Sequence, residues 1–236
     1  MNPIEVTLSA NAGVSIGIGG FRIWVDALHD TKGPGFSTLD TALQKKMLHH
    51  PGFQSPDAIC YTHCHGDHFS KALTEEAHRM WPNAPIFLPE KVFAYQHLME
   101  GEAPCYTLGS AQLQFLRLPH EGAQYAGVAH YGLIISVSGC NILLTGDCAL
   151  AEESLLDKVG EKKIHLAVVD FPWITKRNSR EFLQRHFPDT KLVVCHLPFD
   201  RDDTNGFRLS AQRAAAQLGE RCVVLTQPLE TVEINS

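Results

Sequence analysis

With 236 residues, 44% of them apolar and 19% charged, the chain has the make-up of a globular protein of one large domain or two small ones. A formal charge of −6 leaves no basic footprint, which disfavours a nucleic-acid partner but not a small anionic substrate, because bound dications would reverse the sign locally. The opening Met1-Asn2-Pro3-Ile4-Glu5 lacks a basic-then-apolar leader pattern, no apolar run approaches the ~20 residues of a membrane span, and the seven cysteines are scattered without a CxxC pair, so a cytoplasmic protein with reduced thiols and no membrane association is expected.

The N-terminal third reads as short strands: Ile4 to Leu8, Val14 to Ile18, and Phe21 to Val25 ending at Asp26, with Gly19-Gly20 as a tight hairpin turn. A glycine- and proline-rich loop over 29–36 follows, and Ser37 or Thr38 is expected to cap a helix to about His49. Next, the apolar run Asp57-Ala58-Ile59-Cys60-Tyr61 leads into Thr62-His63-Cys64-His65-Gly66-Asp67-His68. Helices are expected from Ser70 to Trp81 and from Glu90 to Met99, with a short strand at Pro85 to Leu88 between them. Further strands are expected at Ala111 to Leu118, Ala129 to Val137 and Asn141 to Thr145. From residue 150 the pattern alternates: helix 152–159, strand 165–169 ending at Asp170, helix 179–186, strand 191–195 ending at His196, helix 209–218 and a last strand 221–225. Strand-rich stretches with helices between them argue for a layered α/β protein with mixed sheets, and nothing resembles a domain boundary within 1–236.

Three imidazoles and a carboxylate within six residues, at the end of a strand, suit zinc and neighbouring divalent metals. If strand geometry runs on into the loop, His63 and His65 face one side. Asp67 and His68, being adjacent, serve a neighbouring position, and the spacing points to two metals side by side. A histidine-rich surface loop is the bland reading, and four donors in six positions weigh against it. His120, Asp147 and His196 also each follow directly on a predicted strand, and strand ends at one sheet edge can converge on a site. Singly, Asp147 reads as a helix cap, His120 as a loop histidine and His196 as a strand end.

This set resembles the metallo-β-lactamase-fold superfamily of metal hydrolases, whose signature is a His-x-His-x-Asp-His run followed by a His, an Asp and a His on separate loops. The resemblance covers residues from about 14 to 200. It implies an αββα four-layer sandwich of two mixed β-sheets flanked by helices, with the site at one edge. It further implies that His63, His65 and His120 hold one divalent ion, that Asp67, His68 and His196 hold a second, and that Asp147 bridges both. Asp26 would hydrogen-bond to the ligand loop and fix its orientation. Two divalent cations are expected as cofactors, zinc by preference, with manganese or iron as alternatives. A shared water would be acidified from about 15.7 toward roughly 7, and Asp67 is placed to receive the nucleophile's proton.

Within the superfamily, only forty residues follow His196, which leaves no room for the helical domain of glyoxalase II. There is no room for a β-CASP insertion before the later ligands and no basic trace of an RNA-clamping arm; flavodiiron reductases put a Glu where this chain has His65 and add a flavodoxin domain, and true zinc β-lactamases are secreted and usually lack the bridging Asp. The stretches Leu118-Pro119-His120 and Tyr125 to Gly132 look most like compact hydrolases of small phosphodiesters. Lactonases related to ascorbate-6-phosphate lactonase are the alternative, and a non-catalytic metal sensor is a third reading. Expected specificity elements are the 29–36 loop as a cover, Phe171-Pro172-Trp173 as a substrate wall, and Lys176, Arg177 and Arg201 as phosphate holders. His130 and Tyr131 are expected to pack, and Cys64, Cys148 and Cys195 to be buried thiols. A homodimer is in keeping with compact enzymes.

Overall fold

The computed structural model describes residues 3–33 and 35–235; Met1, Asn2, Pro34 and Ser236 lie outside the described residues, Pro34 from the 29–36 loop among them. The first sheet is built from β1 (Ile4–Leu8), β2 (Val14–Ile18), β3 (Phe21–Val25), β4 (Ala58–Cys60), β5 (Ile86–Leu88) and β6 (His97–Leu98). The second comprises β7 (Cys105–Leu108), β8 (Ala111–Arg117), β9 (Tyr131–Val137), β10 (Cys140–Leu144), β11 (Leu166–Asp170), β12 (Lys191–Cys195) and β13 (Cys222–Val224). The last strand, β14 (Thr231–Ile234), returns to the first sheet beside β1. The helices are α1 (Thr41–Met47), α2 (Lys71–Met80), α3 (Ser154–Val159), α4 (Phe171–Thr175), α5 (Arg177–His186) and α6 (Phe207–Leu218). None is long and apolar enough to cross a membrane among the described residues.

The sheet orders are β14-β1-β2-β3-β4-β5-β6 and β13-β12-β11-β10-β9-β8-β7. Each is antiparallel through one half and parallel through the other: β3 to β6 run parallel in the first, and β10 to β13 in the second. The chain is thus an α/β sandwich of two mixed sheets flanked by helices. Period-two alternation explains the layers. In β11, Leu166 and Val168 enter the layer shared with the first sheet, while Ala167 and Val169 face the layer under α3 to α6. In β12, Val193 and Cys195 take the inner side, Leu192 and Val194 the helix side. Strands buried on both faces read as continuous apolar runs, as these do. The β2–β3 hairpin turns on Gly19 and Gly20, both at positive φ (57° and 86°), the twist-matching geometry of a two-residue turn.

Three expected elements differ. The segment 90–99 is not helical. Gln96 accepts hydrogen bonds from the Val92 and Phe93 amides and donates to the Glu90 carbonyl, closing a loop, and His97-Leu98 then pairs parallel with β5 at the sheet edge. The first helix starts at Thr41, capped by Asp40, whose carboxylate accepts from the Leu43 amide at 2.9 Å. Ser37 is buried, and its hydroxyl donates to Asp202 and accepts from the Phe199 amide instead. Phe171-Pro172-Trp173 opens a helical turn, with proline where its missing amide costs nothing. Ser70 does cap α2.

Candidate metal centre

The site lies where strand tips meet. Because β3 and β4 are parallel, with Val25 opposite Cys60, Asp26 and the 62–68 loop emerge at the same edge. Asp26, at φ 52°, ties that loop down: its carboxylate accepts from the Thr62 amide (2.7 Å), the Thr62 hydroxyl (2.6 Å) and His68 Nδ1 (3.0 Å). In the second sheet, β10, β11 and β12 run parallel, so Asp147, Asp170 and His196 leave the same end. His120, beyond β8, bridges to Cys148 in the Asp147 loop.

All seven sequence-predicted donors come together. His63, His65 and His120 form one group whose ligand atoms lie within 4.8 Å of one another; Asp67, His68 and His196 form another. Asp147 stands between them. Its Oδ2 is 3.9 Å from His63 Nε2 and 3.6 Å from His120 Nε2, while its Oδ1 is 3.2 Å from His68 Nε2 and 3.7 Å from His196 Nδ1. The Nε2 atoms of His63, His68, His120 and His196, and Asp147 Oδ1, are buried and accept or donate no hydrogen bond. Leaving so many polar atoms unpaired in one place is costly unless something binds them. Imidazole nitrogen and carboxylate oxygen are a donor set fitted to a divalent transition metal.

The charges interlock. Burial, then the His68 charge, pushes His63 well below the usual imidazole range. Burial also opposes charge on His68, but Asp147 and Asp26 outweigh it and hold its pKa well up. Likewise burial is outweighed at His196, held up at about 10 by Asp147 and Asp170. At Asp67 burial is outweighed by His196, whose Nε2 lies 3.8 Å from Oδ2, and by the His68 charge, bringing it to about 2. Asp147 is held well below its usual range, against burial, by His68 and His196.

Asp170 was visible in the sequence only as a strand end. It is buried, Oδ2 lies 3.3 Å from His196 Nδ1, and burial pushes its carboxyl up to about 7. The cue is its register: it pairs with Cys195, so it sits beside His196. Thr62 was also missed; its hydroxyl links Asp26 to His63 Nδ1 at 3.0 Å. His130 is fully buried with Nδ1 against the Leu118 carbonyl, and burial first, against the Asp147 charge, lowers it to about 3, in keeping with a packing role beside His63.

The outer elements correct several expectations. His29 is a buried residue hydrogen-bonded to the Ala10 carbonyl, yet the loop beyond it does cover the site: the Thr31 amide donates to the Gly66 carbonyl, and Phe36 stacks on His196. Trp173 is wholly buried in the helix-side layer and forms no wall. Arg177 is engaged by Glu181, and Arg201 by Asp40 and Asp202, so neither is a free phosphate holder; Lys176 is exposed. Cys148 and Cys195 are buried with their thiols pushed up by burial, and burial takes Cys64 to about 12.

Neither a protein-family model nor a curated protein matches the sequence. Solved structures do match along nearly the whole chain. An isothiocyanate hydrolase from Delia radicum gut bacteria is similar at 15% identity and TM-score 0.68, covering 97% of this chain and 98% of its own. A possible metal-dependent hydrolase from Veillonella parvula is similar at 16% identity and TM-score 0.68, covering 98% and 99%. The metallo-β-lactamase fold protein YhfI from Bacillus subtilis is similar at 13% identity and TM-score 0.66, covering 98% and 100%.

Proposed function

Because this chain has the metallo-β-lactamase fold with a complete donor set at its strand tips, we propose that it is a dinuclear metal-dependent hydrolase acting on a small phosphodiester. One observation carries the reading: four imidazole Nε2 atoms and one oxygen of Asp147 are buried, unpaired and gathered at one place. His63, His65 and His120 would hold one ion and Asp67, His68 and His196 the other, with one oxygen of Asp147 turned to each group. Divalent ions so held supply an acidified water and a Lewis acid for the scissile oxygen. The names of two neighbours, one an isothiocyanate hydrolase and one a possible metal-dependent hydrolase, lean the same way.

The chain's own residues have defined tasks. Asp26 fixes the loop that carries four donors. Asp67, half-buried, sits at the mouth as a carboxylate and can take up the proton that water gives up. In the balanced reaction a water oxygen bonds to phosphorus and the bond to one alcohol breaks. One proton passes to Asp67, and the departing alkoxide takes one from solvent.

The same machinery would open a lactone, the second reading. What favours it is that Arg177 and Arg201, two of the three cations expected to hold a phosphate, are both paired with carboxylates. A sensor without turnover is the third. Purified protein is expected to carry close to two transition-metal ions per chain and to cleave bis-aryl phosphates, with Asp147→Ala abolishing turnover. One ion or none removes the dinuclear reading. Cleavage of lactones alone transfers the site to the second reading, and fully loaded protein that cleaves no ester leaves the sensor.

A further inference from the structure

Aromatic rings stand at both ends of the site, and two of them serve no core. By His65 and His120, the ring of Tyr125 lies 5.0 and 4.7 Å from the two imidazoles and is 39% exposed. By His196, the ring of Phe36 is stacked at 5.0 Å and 18°, and Phe207 and then Phe171 continue that surface at 5.8 and 4.9 Å. Neither Tyr125 nor Phe36 joins the layer between the sheets or the layer under the helices. Both sit on loops, Tyr125 in the turn Ala123–Tyr125 between β8 and β9, Phe36 ahead of α1. Partly exposed aromatic rings on loops at the mouth of a site are far more useful for holding a ligand than for holding the fold.

The charged groups around Phe36 point the same way. Lys32 pairs with Asp202 at 2.9 Å, Arg201 with Asp40 and Asp202 at 3.1 and 3.4 Å, and Arg208 with Asp200 at 2.6 Å. Each of these cations is already neutralised by a carboxylate. A substrate with a second phosphate or carboxylate would meet those carboxylates without a free cation to receive it.

Resting on the hydrolase reading above, we propose that the phosphodiester has two flat, apolar arms, one lying against Tyr125 and the other against Phe36, and carries no anionic group beyond the scissile one. A diester has one arm on each side of phosphorus, and the aromatic surfaces lie at the two ends of the donor set, with Asp147 between. Nucleotides with a terminal phosphate and phosphorylated sugar-acid lactones are thereby disfavoured.

The test uses the full, metal-loaded chain and three esters sharing one leaving group: bis(p-nitrophenyl) phosphate, methyl p-nitrophenyl phosphate, and the p-nitrophenyl diester of thymidine 5′-phosphate carrying a 3′-phosphate. The two-aryl diester should show the lowest KM, with loss of one aryl arm raising it about three- to tenfold, the range of one aromatic contact. Tyr125→Ala and Phe36→Ala should each raise the two-aryl KM by a similar factor, while Tyr125→Phe and Phe36→Leu should restore most of it. A readout without turnover is the binding of diphenylphosphinate against dimethylphosphinate by calorimetry, in which only the first should weaken in the alanine variants. Equal KM for methyl and aryl diesters with unmoved variants, or preference for the 3′-phosphorylated ester, overturns the proposal. Diphenylphosphinate binding that needs Tyr125 and Phe36, in loaded protein that cleaves no diester, upholds the aromatic clamp and overturns the phosphodiesterase reading instead.

Discussion

Four imidazoles are each held by one nitrogen so that the other is free. His63 Nδ1 meets the Thr62 hydroxyl, which already donates to Asp26 and so can only accept from the ring. His68 Nδ1 meets Asp26, His120 Nδ1 donates to the Glu121 carbonyl at 2.8 Å, and His196 Nδ1 meets Asp170. All four anchors are acceptors, which places a hydrogen on Nδ1 and turns Nε2 toward the site. Asp170→Asn tests the anchor that no motif marks. An amide can present its NH2 to His196 and is a weaker acceptor, so affinity for zinc or manganese should fall about 10- to 100-fold in chelator competition. Because burial already pushes the Asp170 carboxyl up to about 7, the chelated protein should unfold at an unchanged or higher denaturant concentration. Unchanged metal affinity would show that the 3.3 Å contact does not orient the ligand.

At the scale of elements, what the sequence discloses depends on whether the signal is local. Strands β1 to β3 and β8 to β12 are readable because apolar alternation or continuous apolar runs are properties of the segment itself, and the seven donors are readable because the four loops that carry them each follow such a run. Asp170 was not, since its meaning comes from lying opposite Cys195 on a neighbouring strand, a matter of register. Strand β14 escaped for the same reason: half of its residues are exposed, and it is held by pairing with β1, Ile4 opposite Ile234. The 90–99 segment has helical spacing of apolar residues, but the edge of the first sheet and three hydrogen bonds from Gln96 override it. Gln96→Leu should therefore lower stability by about 1–3 kcal/mol in urea unfolding, the cost of leaving amides and a carbonyl without partners, while the metal content per chain stays the same. Loss of metal in that variant would mean the loop supports the site more directly than its position beside β5 indicates.

The same loops that unite two sheets also tie their union to pH. In protein stripped by a chelator, His68 and His196 are both held protonated through neutrality, His196 up to about 10, by the carboxylates around them. A ligand nitrogen must be unprotonated, so loading the group of Asp67, His68 and His196 releases protons. Asp67, at about 2, and Asp147, well below its usual range, already carry their charge and release none. His63 is pushed down by burial and is neutral before any ion arrives. The sign follows: protons compete with metal most at low pH, so affinity rises as pH rises, and the slope of log affinity against pH between about 6 and 8 should approach two for the His68 side, with His63 adding nothing to the slope on its own side. Two-step loading followed by calorimetry in buffers of different ionisation enthalpy separates the two. The stripped fold should behave oppositely at high pH. The charged His196, paired with Asp147 and Asp170, contributes stability that is fully present below about 6.5, the ordinary imidazole value, and is lost as pH climbs through about 10. Metal-loaded protein has exchanged that proton for an ion, so its unfolding midpoint should lose this alkaline decline. A stripped protein equally stable at pH 7 and pH 10 would mean that the carboxylates do not hold His196 charged.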